Sequence, residues 1–197
     1  MADCMTRWGY EVALPDGEVK LPPIISYEDF IILTGGRLVS SADRIDAMLD
    51  AVSQAVRDWC GWHVSPILEC RWVGTGNGRL LLLPCMSVSS VESVEVQGVP
   101  QDFEWERSGK VRISGRFPDA WRSVEASFTA GIDSADGIGA AVLQIATNAL
   151  VATPGVREEH AGGVGATYNQ TANGVSGGVR LLESDYRLLA PYRMTVR

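Results

Sequence analysis

The chain has no C-x-x-C pair among its four cysteines, only two histidines, no apolar run approaching a membrane span and no surplus of basic charge. Each absence removes a class of function. A bilayer-spanning helix needs about 20 predominantly apolar residues. The opening "MADCMTRWGYEVALPDGE" has neither the basic start nor the apolar middle of a secretory signal, so a bacterial cytoplasmic product is expected. A net charge of −7 leaves no basic patch for reading nucleic acid, although an acidic wall suits a surface that DNA passes without sticking. The cysteines, Cys4, Cys60, Cys70 and Cys85, do not form the framework of a secreted disulfide scaffold. Cys60, His63, Cys70 and Cys85 could assemble a zinc site, but the spacing beyond Cys60-x-x-His63 is irregular, and free, mostly buried thiols are the preferred reading.

Catalytic signatures are missing as well. There is no G-x-S-x-G elbow, and His63 and His160 have no convincing nucleophile beside them, since Cys60 and His63 three residues apart at a helix exit make a weak pair. "GTGNG" sits between two strands and does not open a helix, so it reads as a hairpin turn. The glycine-rich run from Gly162 to Gly178 lacks the lysine of a phosphate loop and follows a helix where a strand would be needed. The expectation is a protein that is not an enzyme, with no cofactor and no metal.

What is present reads as α+β: a small helical bundle with an inserted antiparallel β region, a long Gly-rich loop and an extended C-terminal tail. Residues 1–24 are expected to be an extended N-terminal arm, ending in the helix-incompatible "KLPPII". Residues 25–197 form one domain. A helix over 26–35 has Ser26 as N-cap, Glu28 and Asp29 in its first turn, and Gly35–Gly36 as its stop. The clearest helix, 41–61, is capped by Ser40 or Ser41. It repeats Ile45, Met48, Leu49, Val52, Val56, Trp59 and Cys60 at three- and four-residue spacing. Asp43, Asp46 and Asp50 read as a solvated face, with Arg57 and Asp58 further along. Over 63–131 short β-rich runs alternate with turn signals, including Asn77-Gly78 and Ser108-Gly109 as hairpin turns. Helix 136–153 is apolar over much of its circumference and should be the central buried one. Residues 156–180 read as a mobile loop. A short helix over 181–190 follows, Pro191 breaks it, and 191–197 form the tail.

The order of these elements carries a resemblance. "ISYEDFIILTGG … ADRIDAMLDAVSQAVRDWCGWHV", then "LPCMSVSSVESVEVQGVP", "SVEASFTAGI", "IGAAVLQIATNALVATPGVREE", the glycine-rich loop and "YRLLAPYRM" resemble the head–tail connector (adaptor) proteins of long-tailed bacteriophages and gene transfer agents, over most of residues 24 to 194. The resemblance implies a virion neck protein, assembled in the host bacterial cytoplasm. It implies a homo-oligomeric ring of about twelve copies under the portal protein, extending the DNA channel and docking the next neck or stopper protein. Genome DNA would pass without sequence-specific binding. It further implies portal contacts at Tyr186, Leu189, Pro191, Tyr192, Arg193 and Met194. The segment with Gly162, Gly163, Gly165, Tyr168, Asn169, Gly174, Gly177 and Gly178 would be a loop ordered in the ring or lining the channel. Another neck or tail completion protein of the stopper type is the alternative, ahead of a small-ligand protein or enzyme.

Overall fold

The computed structural model describes residues 2–15, 18–36, 40–134, 137–151, 158–161, 164–167 and 181–194. The chain divides into two units, Met1–Pro22 with Cys60–Asp133 and Tyr192–Arg197, and Pro23–Trp59 with Ser134–Pro191.

The first unit is β-rich. Its strands are β1 (Ala2–Met5), β2 (Tyr10–Leu14), β3 (Leu68–Gly74), β4 (Gly78–Leu82), β5 (Val88–Val96), β6 (Val99–Pro100), β7 (Phe103–Glu106), β8 (Lys110–Phe117) and β9 (Val124–Ala130). One antiparallel sheet runs β1-β2-β3-β9-β5-β6, and a second runs β4-β8-β7. β9 is central because it is apolar at every second residue: Val124, Ala126, Phe128 and Ala130 are buried, with Glu125, Ser127 and Thr129 on the other face. Burying a side chain such as Phe128 contributes about 1.5–3 kcal/mol. On the polar face Arg71 bonds Glu125 at 2.6 Å and reaches Glu11 at 3.4 Å, lacing β2, β3 and β9. The Arg71 hydrogen bond and charge hold the Glu125 carboxyl below its ordinary range. Both partners are substantially exposed, so this lacing sets register more than it adds stability.

Two sequence expectations change here. The N-terminal arm is extended, but it is a paired hairpin: Tyr10↔Trp72 and Val12↔Cys70 fasten β2 to β3, burying Tyr10, Val12 and Leu14. Asn77-Gly78 does not close a hairpin between β3 and β4, because β3 pairs with β9 and β4 with β8. The chain passes there from one sheet to the other. Gly109, at φ 81°, does sit in the tight link from β7 to β8. The link from β5 to β6 is Gln97-Gly98, both at positive φ as a two-residue turn requires.

The second unit holds α1 (Tyr27–Thr34), α2 (Ala42–Cys60, whose last residue belongs to the first unit), α3 (Ile138–Val151), the paired strands β10 (Glu158–Ala161) and β11 (Val164–Thr167), and α4 (Glu183–Leu189). α1 starts where Ser26 Oγ accepts from Asp29 N–H at 3.1 Å and donates to the Asp29 carboxylate at 2.8 Å. It ends at left-handed Gly35, where Gly36 N–H reaches back to Ile31 O at 3.0 Å. On α2 the buried stripe is Ile45, Leu49, Val52, Ser53, Val56, Arg57 and Cys60. Asp43 and Asp46 face solvent, whereas Arg57 is buried within the stripe and not on the polar face. Ser53 Oγ accepts the buried Ile24 N–H at 2.9 Å, which seats the proline-bearing segment on α2. α3 buries Ile138, Ala141, Val142, Ile145, Ala146 and Leu150 and exposes Gln144 and Asn148, so it is apolar over most of its circumference.

Candidate functional site

The resemblance implies partner contacts in the C-terminal segment, whose local chemistry sets what it can offer. α4 begins with Leu182 N–H donating to the Asp185 carboxylate at 2.8 Å, a buried acid at the positive end of the helix. Tyr186 packs on Trp59 of α2 with ring centroids 4.4 Å apart. α4 also packs on α3. Leu189 is fully buried, so its side chain packs inside the chain, while Leu188 beside it is exposed. Pro191, which has no N–H to continue an α-helix, sits in a 3₁₀ turn over Ala190–Tyr192.

Beyond the turn the segment is stitched to its own chain. Trp62, fully buried, donates its indole Nε1–H to Tyr192 O at 2.8 Å. Met194 N–H donates to Cys60 O at 2.8 Å, satisfying a carbonyl at the end of α2, and its side chain lies over Gly61. Burial pushes the Cys60 thiol up to about 12, and the nearby Arg193 guanidinium acts in the opposite direction. The surface this leaves to a partner is Pro191 and Arg193, exposed, with the half-exposed sides of Tyr186, Tyr192 and Met194. Of the loop residues, Gly165 falls in β11, which pairs with β10; Gly162, Gly163, Tyr168, Asn169, Gly174, Gly177 and Gly178 lie outside the described residues.

Two further features stand out, one that sequence reasoning missed and one whose members it named, together with Cys60, as a possible zinc set. Ile32 and Leu33 on α1 and Trp121 between β8 and β9 are large apolar side chains left in solvent, Trp121 at 87% exposure. The second feature is buried. A tight turn carries His63 into the interior: Ser65 N–H donates to His63 O at 2.8 Å across Val64, whose φ is 63°. His63, Cys70 and Cys85, all buried, bring their ligand-capable atoms within 4.8 Å of one another, and Cys60 is not part of the group. Tyr10 Oη lies 2.8 Å from His63 Nδ1 and accepts from His63 N–H at 3.0 Å. Cys70 and Cys85 are not joined by a disulfide.

Neither a protein-family model nor a curated protein matches the sequence. Solved structures do match in shape. The neck of an empty gene transfer agent (GTA) particle, computed with C6 symmetry, contains a chain that superposes with a TM-score of 0.57 at 16% identity, over 92% of this chain and 95% of that one. The neck of the native particle, computed with C12 symmetry, gives 0.56 at 17% identity with the same coverage. The virion of the native particle gives 0.52 at 18% identity, again over 92% and 95%. The likeness to head–tail connectors read from the order of elements therefore holds for the fold, which this chain shares with a protein of the gene transfer agent neck.

Proposed function

We propose that the chain is a structural head–tail connector, an adaptor that forms a homo-oligomeric ring beneath a portal protein, extends the DNA channel and offers a surface to the next neck protein. The observation that carries this reading is the fold likeness over 92% of the chain to a subunit of neck assemblies with C6 and C12 symmetry. The absence of a catalytic signature in the sequence is consistent with it, as is the net charge of −7, because a wall poor in cations does not hold passing phosphates. A head-to-tail ring needs two different faces on each subunit. The exposed apolar side chains Ile32, Leu33 and Trp121 supply material for such faces. Portal contact is assigned to Pro191, Tyr192 and Arg193, with Tyr186 and Met194 at the margin; Leu189 acts from inside by holding α4 in place.

The test is co-expression with the portal protein of the same genome, followed by native mass measurement. A portal ring carrying about twelve copies, as the C12 symmetry of the native neck suggests, is the expected result. Arg193→Glu should raise the Kd for the portal by about tenfold, a loss of about 1.4 kcal/mol, in a chain that still folds. No complex with the portal would turn the reading toward a stopper-type protein lower in the neck.

A further inference from the structure

The buried cluster around His63 is an unusual place to find two thiols. Tyr10 arrives on β2, Cys70 on β3, Cys85 just after β4 and His63 from the turn after α2, and their polar atoms converge. A carbonyl can only accept, so the 3.1 Å contact of His63 Nε2 with Ala130 O places the ring proton on Nε2 and leaves the Nδ1 lone pair facing Tyr10. That is the arrangement of a metal-ligating histidine, in which the distal N–H is held by a carbonyl and the other nitrogen presents its lone pair. Tyr10 Oη also neighbours the Cys85 thiol, and Cys85 neighbours Cys70, so the phenol belongs to the same cluster.

We propose that His63 Nδ1, Cys70 Sγ and Cys85 Sγ bind one zinc ion, with Tyr10 Oη completing the coordination. The donor set decides the metal: two thiolates and an imidazole select zinc over magnesium or calcium, which take oxygen ligands. Tetrahedral zinc with bonds of about 2.0–2.3 Å places its ligands about 3.5–3.8 Å apart. Separations no greater than 4.8 Å therefore close onto an ion by shifts of about an ångström. Binding forms two Zn–S bonds, one Zn–N bond and one Zn–O bond in place of the ion's bound waters, and releases the two thiol protons to solvent. The Tyr10–His63 hydrogen bond breaks, and the phenol stays neutral as the fourth ligand. Two thiolates offset the charge of the ion, so the buried site is neutral overall. Enclosure on all sides makes the site structural, with no open coordination position for catalysis. The ion would fasten the N-terminal hairpin, through Tyr10, to β3 and to the connection leaving β4. The inference concerns the interior of one subunit and does not rest on the proposed role in a neck.

The test uses the full chain, purified under reducing conditions without chelator. Native mass spectrometry with one equivalent of zinc should show a single bound ion per chain with loss of two protons, and zinc should raise the unfolding temperature. Cobalt in place of zinc should give a thiolate-to-metal charge-transfer band with the intensity of two sulfur ligands. Cys70→Ala and Cys85→Ala should each weaken zinc binding by more than about a hundredfold, and Cys4→Ala should leave it unchanged. The cobalt spectrum counts thiolates on the unmutated chain and decides the matter should an alanine variant fail to fold. Failure to take up either ion, undiminished uptake by both folded alanine variants, or a Cys70–Cys85 disulfide as the stable form in place of metal would each overturn the assignment.

Discussion

At the scale of single residues, burial converts modest interactions into decisive ones. Ser53 and Arg57 sit on the apolar stripe of α2, where a sequence pattern would place only hydrophobic side chains. For Ser53 the reason is visible, since its hydroxyl is the acceptor for a backbone N–H that the fold has removed from water. Ser53→Ala leaves the Ile24 N–H buried without that acceptor and should cost about 1–3 kcal/mol, read as a lower midpoint in urea unfolding. An unchanged midpoint would mean that water or another oxygen takes over the role. The cap of α1 was legible in the sequence because Ser26 and Asp29 are three residues apart and their chemistry is local. The placement of Arg57 was not, because its charge marks it for the polar face and only the packed structure shows it on the buried one.

Among elements, the C-terminal segment shows how a part that looks frayed in sequence can be held. Residues 191–194 contain no apolar periodicity, and their attachment runs through backbone atoms of Tyr192 and Met194. Truncation before Tyr192 removes the acceptor of the buried Trp62 indole N–H and the donor that satisfies Cys60 O. A loss of about 1–3 kcal/mol in unfolding free energy is expected. The result to set against it is a truncated chain as stable as the whole, which would return the segment to the status of a loose tail. The N-terminal hairpin teaches the same point. Tyr10, Val12 and Leu14 alternate with Glu11 and Ala13, a period-two pattern present in the sequence, yet only pairing with β3 reveals which edge the strand completes. Asn77-Gly78 carries a strong turn signal, and the chain does turn there; the sheets on either side of it belong to different ladders, which no dipeptide encodes.

For the molecule as a whole, charge and shape bear on function more than any side chain does. A net charge of −7 predicts that the purified chain retards duplex DNA weakly and without sequence preference, with the residual binding abolished by moderate salt. Tight or sequence-selective retardation in a gel-shift series would contradict the proposed role of a passive channel wall. The shape comparison reaches further than sequence comparison here, since identities of 16–18% accompany coverage of 92% of the chain. Packing constrains which positions are apolar and how elements are ordered, and many sequences satisfy those constraints.

The sequence by itself determined the α+β class, the periodic faces of α2 and β9, the cap and stop of α1, the break at Pro191 and the acidic balance. All of these depend on residues near one another along the chain or on composition. The tertiary structure alone decided that residues 2–14 complete a sheet, that Leu189 is interior, and that Tyr10, His63, Cys70 and Cys85 meet. Such meetings depend on strand pairing and on turns at positive φ, which bring together groups up to seventy-five residues apart, and a linear spacing rule has no access to that distance.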